Sequence, residues 1–70
     1  MVFKVYEWDS INHVGVLKHT EEERGIALYK GKLIAQGFCE DEKPTFMDMR
    51  NEIYYWETDC DFCAKIVKED

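Results

Sequence analysis

Seventy residues can enclose one hydrophobic core and no more, so every element this chain encodes must pack against the same few side chains. A second domain has no room, and residues 1–70 read as a single unit. Within that limit the sequence is apolar enough to fold. Hydrophobic residues make up 46% of it, and that burial offsets chain entropy despite a charged fraction of 34%.

The apolar pattern divides the chain into short elements. Val2 to Trp8 alternates, with Phe3 and Val5 on one face and Lys4, Tyr6 and Trp8 on the other, which reads as a strand. Asp9, Ser10 and Asn12 supply a turn, and His13 to His19, with Val14, Val16 and Leu17, has strand composition again. Thr20 to Gly25 is a polar connection with an acidic tip. Ile26 to Ala35 consists of two apolar runs joined through Gly31, which predicts a tight β-hairpin because glycine supplies the positive φ such turns need. Its second strand fades at Gly37 to Cys39, and Glu40 to Lys43 is a solvated loop.

Pro44 to Asp48 reads as a helix entry, with Thr45 as the cap and Asp48 suited to the positive end of the helix dipole. Phe46, Met49, Ile53 and Trp56 then recur at helical spacing. A strand through Ile53-Tyr54-Tyr55-Trp56 competes with that helix, since its composition is strongly β-prone. Asp61 to Lys68 alternates Phe62, Ala64 and Ile66 against Cys63, Lys65 and Val67, a last strand, with a short helix as the alternative. The fold class that follows is α+β: a small antiparallel β-sheet of four or five strands with one α-helix packed on one face. The expected core is Phe3, Val5, Val14, Val16, Leu28, Leu33, Phe46, Met49, Ile53, Trp56, Phe62 and Ile66.

Charge is unevenly spread over these elements. Residues 1–35 are balanced, and the net charge of -6 belongs to residues 36–70. It narrows further to residues 36–61, where Glu40, Asp41, Glu42, Asp48, Glu52, Glu57, Asp59 and Asp61 face only Lys43 and Arg50. On a helix over this segment, Asp48, Glu52 and Tyr55 share an outward face, flanked by the acids before and after it. Together they form an acidic ridge carrying an exposed tyrosine, the kind of rigid anchor found at interface hot spots.

Several chemistries are disfavoured. Cys60-Asp61-Phe62-Cys63 has the spacing of a metal or redox pair, but the flanking acids Glu57, Asp59 and Asp61 would raise rather than lower the thiol pKa. A zinc site needs further ligands; Cys39 with one of His13 and His19 can complete it, and a small regulatory or adaptor domain on Cys39, Cys60 and Cys63 is the alternative reading. Otherwise these cysteines are small, mostly buried hydrophobes. Ser10 is the lone serine and lies in a turn, no arrangement orients a Cys/His pair, and no glycine-rich loop opens a helix. No enzymatic activity and no cofactor are expected. A sequence pI near 4.8 disfavours direct contact with nucleic acid. The chain has neither a signal-peptide pattern nor an apolar run long enough for a membrane, and its odd cysteine count fits a reducing, cytoplasmic setting.

The expectation is a non-enzymatic acidic binding protein. Its carboxylates would occupy a site made for phosphates on a basic protein surface, that of a nucleic-acid-handling protein or complex, with Glu40, Asp41, Glu42, Asp48, Glu52, Tyr55, Glu57, Asp59 and Asp61 in the interface. Small size, acidity and lack of catalytic residues are the combination found in small virus-encoded inhibitors of host defence or transcription, anti-CRISPR proteins among them. That likeness is one of type and rests on no shared motif. A homodimer formed through an edge strand or exposed aromatics is a further reading.

Overall fold

The computed structural model describes residues 1–69 and has the expected class: one helix packed on a five-stranded antiparallel sheet. The strands are β1 (Val2–Asp9), β2 (Val14–Glu21), β3 (Thr45–Met49), β4 (Ile53–Glu57) and β5 (Phe62–Glu69), and α1 spans Arg24–Phe38. Their order across the sheet is β2-β1-β5-β4-β3, so β2 and β3 are the edges. No helix among the described residues is long and apolar enough to cross a membrane.

Two segments exchange the structures their sequences suggest. Ile26 to Ala35 is not a hairpin but the middle of α1. Ala27, Leu28, Gly31, Ile34, Ala35 and Phe38 recur at three- and four-residue steps, the spacing of one helix face. Ala27, Gly31 and Ala35 are buried against the sheet. Gly31 marks a close approach rather than a turn, because a Cβ there would stand 2.6 Å from Ile66 Cδ1 and 3.2 Å from Trp56 Cδ1. The exposed Ile26, Tyr29 and Leu33 hide this stripe by making the outer face look apolar as well.

Residues 45–57, read as a helix, instead form the β3–β4 hairpin, so the competing strand through Ile53 to Trp56 is the correct reading. Asn51 and Glu52 both hold positive φ, 67° and 60°, and turn the chain there. Phe46 and Trp56 face each other directly across the hairpin, as do Met47 and Tyr55. The helical spacing of Phe46, Met49, Ile53 and Trp56 is therefore coincidental. The strand register places Phe46 and Trp56 on one face and Met49 and Ile53 on the other.

The core is thin. Phe3, Val5, Ala27, Ala35, Tyr54, Ala64 and Ile66 form the buried cluster, with Leu28, Ile34 and Trp56 packed on its border. Val5 and Ile66 are directly paired in neighbouring strands and are the largest fully buried side chains, each stabilising by roughly 1.5–3 kcal/mol relative to exposure. Six residues expected in the core are exposed: Val14, Val16, Leu33, Phe46, Met49 and Phe62. Val14 and Val16 lie in an edge strand beyond the helix, Leu33 points away from the sheet, and Phe46 and Met49 are in the other edge strand. Phe62 is spared full exposure to water by stacking on Phe38 at a centroid distance of 5.4 Å.

Candidate functional site

The topology gathers two acidic loops at one end of the sheet. The α1–β3 connection, carrying Glu40, Asp41 and Glu42, leaves the C-terminal end of α1, and the β4–β5 connection, carrying Asp59 and Asp61, passes beside it. A hydrogen bond joins them, the Asp59 amide donating to Glu42 Oε2 at 3.2 Å. The Ser10 amide and hydroxyl both donate to the Asp61 carbonyl, at 3.1 and 2.7 Å, and tie the β1–β2 turn to the same end. Between the loops lies a cleft of about 250 Å³ lined by Glu42, Lys43, Thr45, Met47, Glu57, Thr58 and Asp59.

Register connects this cleft to the uncovered face of the sheet. Thr45 pairs with Glu57 and Met47 with Tyr55, so these four side chains share the face opposite α1. Tyr55 therefore stands beside the acidic cleft through Met47, although it is half-buried rather than fully exposed. Farther across that face Lys65 sits 4.1 Å from the centroid of the Trp8 ring and 5.8 Å from that of Tyr55. Cations placed over aromatic rings in this way are attracted by the ring quadrupole. Trp8 in turn lies over Gly15, where a Cβ would meet it at 2.8 Å.

The single acidic ridge expected from the sequence is divided. Glu40, Asp41, Glu42, Glu57, Asp59 and Asp61 belong to the cleft end, whereas Asp48 and Glu52 belong to the opposite end of the hairpin, about 13 Å away at ~3.3 Å per strand residue. The shared outward face of Asp48, Glu52 and Tyr55 does not exist, because no helix is there. Asp48 is paired with Tyr54 on the helix-covered face, Tyr55 is on the other, and Glu52 is in the turn. Glu52 has a local role: it accepts the Tyr54 hydroxyl hydrogen bond and lies 3.9 Å from the Arg24 guanidinium. The Tyr54 hydrogen bond holds its carboxyl below the ordinary range, with Lys68 and Arg24 adding to the effect, while the Tyr54 phenol is raised by the same bond.

The cysteines pair differently from their spacing. Cys39, at the end of α1, meets Cys60, in the β4–β5 connection, with their sulfurs 2.7 Å apart. Cys60 also donates to the Phe38 carbonyl at 3.4 Å. Cys63 is buried in β5, paired with Trp8. Among the described residues no three histidine, cysteine or acidic side chains converge on a point where a metal ion could be held, so Cys39, Cys60 and Cys63 are not assembled as a ligand set. The Cys39 thiol is pushed up to about 11, foremost by the hydrogen bond shared with Cys60, then by burial and by nearby negative charge that includes Glu42. Burial, with the Glu57 carboxylate, pushes Cys63 up to about 11 as well.

Sequence reasoning missed two contacts: the Lys65 position between Trp8 and Tyr55, and the meeting of Cys39 with Cys60. Neither has a local signal. Each depends on residues brought together by strand order, across 57 positions for Trp8 and Lys65 and 21 for the cysteines. No protein-family model, curated protein or solved structure matches the chain.

Proposed function

We propose that this chain is a non-enzymatic, cytoplasmic binding protein that docks the acidic end of its sheet on a basic surface of a nucleic-acid-handling protein, and inhibits it by occupying ground meant for phosphates. The observation that carries this reading is the cleft lined by Glu42 and Asp59 from two loops and by Glu57 from the end of β4, beside Met47 and Tyr55. Three carboxylates around a space of this size suit an arginine or lysine side chain inserted from a partner. Arg is the better fit where two carboxylates can be bridged by its planar fork. Lys43, also on the rim, reduces the local negative charge without cancelling it.

The interface is smaller than the acidic segment of the sequence. It comprises Glu40, Asp41, Glu42, Glu57, Asp59, Asp61 and Tyr55, and leaves out Asp48 and Glu52, whose carboxylates are turned to the other end. Electrostatic steering of such a surface gives fast, salt-sensitive association.

The test is capture of the partner from the natural host at low salt by tagged protein, followed by affinity measurements on charge-reversal variants. E42K/E57K/D59K is expected to weaken binding at least tenfold, while E22K/E23K, reversed at the other end of the molecule, changes it less than threefold. Equal losses from both sets, or an affinity that is the same at low and high salt, would remove the basis for this function.

A further inference from the structure

The end of α1 and the β4–β5 connection hold the two sulfurs of Cys39 and Cys60 at 2.7 Å, both residues half-buried and both thiols free. Unbonded sulfurs rarely stand so near, and the covalent separation of about 2.05 Å is a small movement away. The partners are fixed from both sides: Cys39 caps a helix that is packed on the sheet through Ala27, Gly31 and Ala35, and Cys60 is held by the Phe38 carbonyl and, through its amide, by the Thr58 hydroxyl. Cys63 is elsewhere, buried in the sheet against β1.

We infer that Cys39 and Cys60 are a disulfide-forming modification site, closed by exchange with a low-molecular-weight disulfide such as glutathione disulfide. One cysteine thiolate attacks a sulfur of that reagent, breaks its S–S bond and releases one thiol. The second thiolate then attacks the protein sulfur of the mixed disulfide, forms the Cys39–Cys60 bond and releases the second thiol. Two electrons pass from the cysteines to the reagent, and the two protons end on the released thiols. The nearness of the sulfurs makes the second step intramolecular, so a mixed disulfide does not accumulate.

Closure crosslinks residues 21 apart in the sequence and joins the helix end to the loop that carries Asp59 and Asp61. The core is thin, so restricting the unfolded chain in this way has a large effect relative to total stability. The site stands whether or not the acidic end binds a partner.

The experiment uses the unmodified protein, incubated with glutathione disulfide at neutral to mildly alkaline pH, then analysed by intact mass, peptide mapping and thermal melting. The expected product is a monomer lighter by two hydrogen atoms, with Cys39 joined to Cys60, Cys63 still titratable, and a melting temperature higher by roughly 10 °C. C39S should instead retain glutathione on Cys60. A bond involving Cys63, stable glutathione adducts on the unmodified protein, covalent dimers as the main product, or a bridge that lowers the melting temperature would each overturn the assignment.

Discussion

Gly31 shows how one residue decides the distance between two layers. Its missing side chain lets α1 descend onto Ile66 and Trp56, and Ile66 is fully buried, so a methyl group has nowhere to go. Gly31→Ala should therefore destabilise by about 1–3 kcal/mol, even though alanine is the better helix former. Gly37, in the same helix, has open space at its Cβ position. Gly37→Ala should stabilise by roughly 0.5 kcal/mol, and denaturant melts of the two variants check the opposite signs. The thiols set a second residue-scale expectation. Cys39 and Cys63 are raised from an ordinary 9.0 to about 11 in the folded chain, and Tyr54 is raised too. A raised folded-state value means stability that is complete below pH 9 and lost as pH climbs toward 11. The melting temperature of the reduced protein should fall across that window, and the fall should be shallower in C39A/C63A.

At the scale of elements, the sequence displayed β1 and β2 clearly because each alternates or has strand composition next to a turn, while β5 alternates but left a short helix as its rival. β1 keeps Phe3 and Val5 toward α1 and Lys4, Tyr6 and Trp8 away from it. The helix and the β3–β4 hairpin were legible as elements but carried each other's signals. A glycine between apolar runs looks like a turn, yet Gly31 is the middle of a small-residue stripe whose period appears only when Ala27 and Ala35 are counted as apolar. Thr45 and Asp48 look like a cap, yet the turn at Asn51 and Glu52 dominates, since both adopt a left-handed backbone and Ile53 to Trp56 favours a strand. Asn51 separates the two structures experimentally. In the hairpin Asn51→Gly is neutral within about 0.5 kcal/mol and Asn51→Val costs about 1–2 kcal/mol, because a β-branched side chain is disfavoured at φ 67°. In a helix the glycine would be costly and the valine mild. Equilibrium unfolding of both variants gives the answer.

For the whole molecule, the acidity of residues 36–61 was legible and its spatial division was not. Charge is a property of composition, but the separation of Asp48 and Glu52 from Glu42, Glu57 and Asp59 depends on which residues turn the chain. Once the hairpin replaces the helix, the loops before β3 and after β4 become neighbours and the acids they carry converge, with Tyr55 one cross-strand pair away. The covered face supplies stability through α1, and the function proposed above rests on the acidic end, which α1 leaves uncovered. The most direct measurement of that claim is backbone amide chemical-shift mapping of the protein titrated with an arginine-rich peptide at low ionic strength. The largest shifts should fall on Glu42, Glu57, Asp59 and their neighbours, and should disappear in high salt and in E42K/E57K/D59K. Shifts centred on Asp48 and Glu52 or on Glu22 and Glu23, or equal shifts in the reversed variant, would contradict it.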